Sequence, residues 1–156
     1  MLDNEKNEFI IKTIESVLFY CGFEASIEVE DSITKGVVFN LSSYQSRDLI
    51  GRGGSMLKAI EHIVQSIAAQ KFKGDAPYYF SMDVDDYMRK REWYLKETAK
   101  AAAEKVKMTG KALRLEPMPN YERKLIHAYI QENYPALNSS SQGNDPHRRI
   151  VIKPGT

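Results

Sequence analysis

The 156-residue chain is poor in the residues that carry most catalytic chemistry, with one cysteine and three histidines. A lone thiol, Cys21, closes no intramolecular disulfide and supplies no paired-cysteine zinc site. It falls on the apolar face of a helical pattern and reads as buried packing. A reducing cytoplasm is the simplest setting for it. No apolar run approaches the roughly 18 residues of a membrane helix. Residues 1–8 are acidic and polar, unlike a secretory signal. No Gly-Lys-Ser/Thr follows the glycines, so a Walker loop is excluded, and there is no His-Glu-x-x-His. No Ser/His/Asp set can be assembled. A hydrolase would need a base or metal that the chain does not offer, and no cofactor, metal or catalytic residue is expected.

The formal net charge of +1 conceals an asymmetry. Residues 1–86 hold 8 Lys/Arg against 14 Asp/Glu, a net of −6; residues 87–156 hold 14 against 7, a net of +7. A sign change between halves points to two modules, the second suited to a polyanion.

Hydrophobic periodicity supports the same division. Residues 5–22 read as a helix with Ile10, Ile14, Val17, Leu18 and Cys21 inward, stopped by Gly22. Ala25–Glu30 and Val37–Leu41 read as strands around a turn at Asp31–Gly36. Ser42, with Gln45 three residues on, reads as a capping box for a short helix. Ser55–Phe72 reads as a longer helix with Leu57, Ile60, Val64, Ile67 and Ala68 on one face. A strand over residues 78–84 closes an α-β-β-α-α-β module. Asp83, Asp85 and Asp86 open a long helix to about Met108, where acids complement the dipole; this explains them better than a metal does. Met88, Leu95, Ala99, Ala102, Ala103 and Val106 form its inner stripe. A β-α-β-β module follows: Lys111–Leu115, a helix over Tyr121–Asn133 capped by Asn120, a weak strand and loop over Leu137–Asp145, and a β run at Arg148–Lys153. The class is α/β (α+β), with modules at 1–84 and 85–156.

The richest stretch is Ile50-Gly51-Arg52-Gly53-Gly54-Ser55-Met56-Leu57. Glycines allow positive φ and close backbone approach. The helix behind them points free N–H groups and a positive dipole end at the loop. Arg52 adds charge at the tip. This is how a Gly-x-x-Gly loop of a KH domain clamps nucleotide backbones. A dinucleotide loop would need a strand immediately before the glycines, and Ser43–Leu49 intervenes. The bland alternative is a plain helix–helix turn.

Further on, Arg123 and His127 stand four apart on one helix face. Both can donate to phosphate oxygens, the arginine bidentately. Arg148 and Arg149 precede the last apolar run and alternate, so that one faces a ligand and the other solvent. Arg89-Lys90-Arg91 reads as a solvated face able to extend an electrostatic track. Tyr44, Tyr78 and Tyr121 are available for stacking, although packing is the commoner role.

Taken together, Leu49–Gly54, Leu115-Glu116-Pro117-Met118, Tyr121-Glu122-Arg123 with His127, and Gly143 with Pro146–Ile152 resemble the bacterial Jag family. That family pairs a prokaryotic-type KH domain with an Arg-three-His domain. The resemblance spans about residues 5–153. It implies a non-catalytic, cytoplasmic binder of single-stranded RNA or single-stranded DNA with a post-transcriptional role in cell-envelope growth, division or cell shape. It implies a small KH-only partner or homodimerisation, and no membrane association. The implied contacts are Gly51, Arg52, Gly53 and Gly54 to phosphate, Ile50 and Leu57 lining an apolar groove for bases, and Arg123, His127 and one of Arg148 or Arg149 to phosphate.

Two departures bear on the expectation. The chain begins at the KH module, without the N-terminal domain often found in the family. Gly53 stands where the family loop is usually basic, which weakens phosphate contact there. The rival reading is a protein-docking adaptor, since a negative first half repels RNA at long range.

Overall fold

A carboxylate starts the first helix. Asp3 accepts the Lys6 backbone N–H through Oδ1 at 3.2 Å, and α1 (Asn4–Cys21) follows. Ile10, Ile14 and Leu18 make its buried stripe. Gly22, at φ 80°, takes the left-handed C-cap and turns the chain back. In the computed structural model, which describes residues 3–32 and 36–156, β1 (Ser26–Ser32) and β2 (Gly36–Ser42) pair antiparallel. The turn expected at Asp31–Gly36 lies largely outside the described residues. Val37, Phe39 and Leu41 alternate inward along β2.

The chain then forms α2 (Ser46–Ile50), a short 3₁₀ turn at Arg52–Gly54 and α3 (Ser55–Lys71). It returns as β3 (Phe80–Val84), which pairs parallel with β2, giving the order β1-β2-β3. Leu57, Ile60 and Val64 of α3 meet the α1 stripe and the β2 side chains in one core. Glu61 is buried beside them, and its Oε2 accepts the Met82 backbone N–H at 2.8 Å. This buried carboxylate ties α3 to β3.

The second core is built on α4 (Tyr87–Thr109), β4 (Leu113–Pro117), α5 (Asn120–Asn133), β5 (Leu137–Gln142) and β6 (Arg149–Pro154). The strands are antiparallel in the order β4-β6-β5. Leu95, Ala99, Ala102, Ala103 and Val106 of α4 pack with Ile126 and Ile130 of α5 and Ile150 and Ile152 of β6. The chain divides into two compact units, Met1–Met88 and Arg89–Thr156. Met88 packs on the first core, and its N–H is held by Asp83 Oδ1 at 2.8 Å. The first residues of α4 therefore go with the first unit.

Several local expectations are corrected. Ser42 ends β2 and does not cap α2. Gln45 occupies the N-cap position of α2 without a side-chain cap, and its Oε1 instead accepts the Glu24 N–H. Asp85 and Asp86 lie outside α4 at φ 49° and 57°, a left-handed pair that aspartate tolerates. Pro119, not Asn120, stands at the N-cap of α5. Cys21 is exposed, because the buried stripe ends at Leu18 and the last turn of α1 overruns the core. Ile67, expected inward, is 40% exposed. Met88 belongs to the first core and leaves the inner stripe of α4 to begin at Leu95.

Candidate nucleic-acid interface

The glycine loop owes its shape to sterics. Gly51 sits at φ 73°, and a Cβ built there would lie 2.7 Å from Met56 Cβ and 2.9 Å from Met56 N. Neither contact can be relieved without moving α3, so the position excludes every side chain. Gly53, at φ 60° and ψ 23°, is also left-handed. Arg52 between them is exposed at the tip, as are Ser55 and Met56 at the start of α3. Ile50 is half-buried. Leu57 is fully buried in the first core. It supports the loop from beneath and cannot line a groove for bases, contrary to the expectation for it.

In the second unit the Arg123–His127 face of α5 is organised around buried polar groups. Glu122 is completely buried. It accepts two bonds from Arg91, Nε to Oε1 at 2.7 Å and Nη2 to Oε2 at 3.0 Å. This bidentate pair clamps α5 to α4. Arg123 is only 4% exposed. Its Nη1 donates to the Met118 carbonyl at 2.7 Å and to Asp145 Oδ1 at 3.3 Å, and its Nη2 to Asn120 Oδ1 at 3.5 Å. Among the described residues, its buried Nε has no partner. The backbone of Met118 is used twice, because its N–H donates to the Arg148 carbonyl at 3.2 Å. Arg123 therefore fixes the segment that runs from Asp145 to Arg148.

One turn along, His127 is half-buried against β5. Its Nδ1 lies 2.8 Å from Ser139 Oγ and its Nε2 3.1 Å from Ser141 Oγ. A neutral ring donates to one hydroxyl and accepts from the other. Burial first, and then the positive charge of Arg123, push the His127 pKa below its ordinary 6.5. The imidazolium therefore forms below the usual range. A cationic contact from His127 near neutral pH is correspondingly weaker. An open cleft of about 580 Å³ runs beside it, lined by His127, Gln131, Pro135, Asn138 and Ser139 among others.

Arg149 pairs with Gln142 of β5 and Pro117 of β4. Its Nε reaches the His147 carbonyl at 3.4 Å. Arg148 precedes β6, donates from Nη1 to the Gly143 carbonyl at 3.5 Å, and keeps a buried Nε without a partner among the described residues. Met118 and Asp145 thus connect Arg123 to the Arg148–Arg149 pair, and β5 connects that pair to His127. Reasoning from sequence missed the roles of Glu122 and Asn120 here, and missed Asp145 and the Ser139/Ser141 pair altogether. Glu122 stands next to Arg123, and the alternating serines of a weak strand were visible but carried no partner until β5 packed on α5. Among the described residues, no group of three His, Cys, Asp or Glu side chains is placed to hold a metal.

Residues 94–154 match the family model of the Arg-three-His domain. Over 131 residues the chain is 34% identical to the RNA-binding protein KhpB of Lactiplantibacillus plantarum, covering 84% of this chain and 39% of that protein. The KhpB of Clostridium symbiosum is 33% identical over 143 residues, 91% of this chain and 63% of that one. The KhpB of Bacillus subtilis is 30% identical over 131 residues, 83% of this chain and 61% of that one. The chain therefore spans between 39% and 63% of the length of these relatives.

Proposed function

We propose that this chain is a non-catalytic, cytoplasmic RNA-binding protein that holds single strands on two modules. The observation that carries the proposal is the second unit. A stretch matching the Arg-three-His domain gathers His127, Arg148 and Arg149 around an arginine-fixed segment, in a half with a net charge of +7. Relatives named as RNA-binding proteins cover most of the chain. Arg148 and Arg149 supply phosphate contacts and His127 a polar contact at the cleft. Arg123 holds the segment that presents them.

The first unit reads as a prokaryotic-type KH domain. Its α-β-β-α-α-β order and left-handed glycine loop, with Arg52 at the tip, support that reading. Two weak sites on one strand gain from effective concentration. A role in cell-envelope growth or division follows from the Jag resemblance alone.

The test is direct. The variant Arg52→Asp/Gly53→Asp should keep its circular dichroism, because Arg52 is exposed and aspartate tolerates the left-handed φ of Gly53. Its affinity for a labelled single-stranded RNA should fall roughly 10-fold, because two new negative charges face the phosphates. Unchanged affinity would remove the glycine loop from the interface. One observation favours an adaptor as second reading. Phe19 and Tyr20 on α1, at 76% and 86% exposed, offer an apolar surface in the acidic unit. That reading leads if neither unit binds RNA.

A further inference from the structure

The long helix α4 carries an aromatic face that neither the glycine loop nor the His127 cleft uses. Trp93 is the chain's only tryptophan and is 66% exposed; Tyr94 beside it is 54% exposed. Arg89 and Lys90 stand four positions before them on the same helix face, and both are exposed. These four side chains line an open hollow of about 500 Å³. The opposite face of the helix is committed to the second core through Leu95, Ala99 and Ala102. Rotation of the helix cannot bury the rings.

The platform is held still from below. Glu122 fixes the Arg91 guanidinium with two bonds, and Arg91 Cζ lies 5.3 Å from the centroid of the Tyr94 ring. That contact sets a cation against the Tyr94 ring. Among the described residues, the hollow is lined by two large rings and two cations, with no aliphatic side chain. Such a lining fits a planar ring that carries an anion.

We propose that Trp93, with Tyr94, Arg89 and Lys90, forms a stacking platform for a base of single-stranded nucleic acid, with the two cations taking the flanking phosphates. The platform rests on the RNA-binding reading above and adds to it a site outside residues 94–154 for the tryptophan and both cations. Stacking on an aromatic side chain is tolerant of sequence, so the platform would bind many bases with little discrimination.

Because Trp93 is the only tryptophan, its emission reports on the site in the full chain. The experiment titrates the protein with decauridylate while following tryptophan fluorescence, and separately follows the anisotropy of the same oligonucleotide carrying a dye. Quenching that tracks saturation is expected. Trp93→Ala should weaken binding by between about 5-fold and about 150-fold, the range that stacking supports. Trp93→Phe should recover most of the loss. Arg89→Ala with Lys90→Ala should make the salt slope shallower by up to roughly 1.4, or about 0.7 for each phosphate contact of a single strand. Saturating anisotropy with unchanged emission and full affinity in Trp93→Ala would overturn the platform and leave RNA binding standing. A chain that never changes the anisotropy would overturn both. Emission that shifts with protein concentration alone would show a second copy seated on the rings, and would overturn the proposal as well.

Discussion

Arg52 and Arg123 hold their charges in opposite ways. Arg52 stands exposed at the tip of a loop whose shape is set by glycine backbones. Arg123 is buried, and its guanidinium reaches Met118, Asn120 and Asp145. The first unit is acidic and presents a cation at one tip. The second is basic and uses its best-placed arginine as a post. A contact made by a loop tip can be altered without touching the fold. A contact presented by a buried arginine cannot, so on the proposed reading binding and stability are separable in the first unit and coupled in the second.

The severest way to break that contrast is Glu122→Ala. It leaves Arg91 without its bidentate partner and empties a fully buried carboxylate site. Removing one member of a buried pair costs about 3–5 kcal/mol. Arg91 keeps some contact with solvent, which places the loss near the lower figure. Urea denaturation should show it as a large drop in the midpoint, and a shift below about 1 kcal/mol would mean that the clamp between α4 and α5 is ornamental.

Arg123→Ala should come next. It strips the Met118 carbonyl of its donor, at a cost of about 1–3 kcal/mol for an unsatisfied buried acceptor. It should also release Asp145 from its tether, so thermal stability and RNA affinity should fall together. If affinity falls while the melting temperature holds, Arg123 contacts the ligand directly and the contrast with Arg52 collapses.

Arg52→Ala sharpens the other side. Affinity should drop several-fold with the melting temperature unchanged, since on the proposed reading the loss is one exposed phosphate contact. A fall in melting temperature would show that the tip arginine is structural after all.

The smallest effect is a pH dependence. The folded-state pKa of His127 lies below its unfolded value of 6.5. Between the two values the unfolded chain binds more protons than the folded one. The stability that His127 contributes is therefore fully present above about pH 6.5 and is lost as pH falls toward the folded pKa. His127→Gln should flatten the decline in melting temperature over that window. An identical pH profile in the variant would mean that the ring does not titrate on unfolding.

Much of this architecture was legible in the sequence, because long amphipathic helices and β-branched runs announce themselves by period. Ile10, Ile14 and Leu18, or Ile150 and Ile152, can be read as inward from their spacing alone. The helix starts were not. Ser42 with Gln45, and Asn120, have the right chemistry for caps, but the Gln45 amide oxygen accepts the Glu24 N–H and the Asn120 amide oxygen accepts from Arg123. Cap choice was settled by a tertiary partner 21 residues away for Gln45 and by a side chain one helical turn on for Asn120. The candidate site was legible as residue types and not as roles. The Jag resemblance implies a phosphate contact at Arg123, yet the side chain is buried with partners at Met118 and at Asp145, 22 residues on. Leu57 likewise looked available to bases because periodicity cannot tell a groove wall from the core beneath it.

The double use of the Met118 backbone has a kinetic consequence. Its carbonyl takes the Arg123 guanidinium while its amide reaches the Arg148 carbonyl, so the stretch ahead of α5 and the residues before β6 are latched to one another. Neither can detach alone without breaking a bond at the same peptide neighbourhood. Slow opening of this region should therefore behave as a single cooperative event, with the Met118 amide exchanging its hydrogen for solvent deuterium at the rate at which the whole latch lifts.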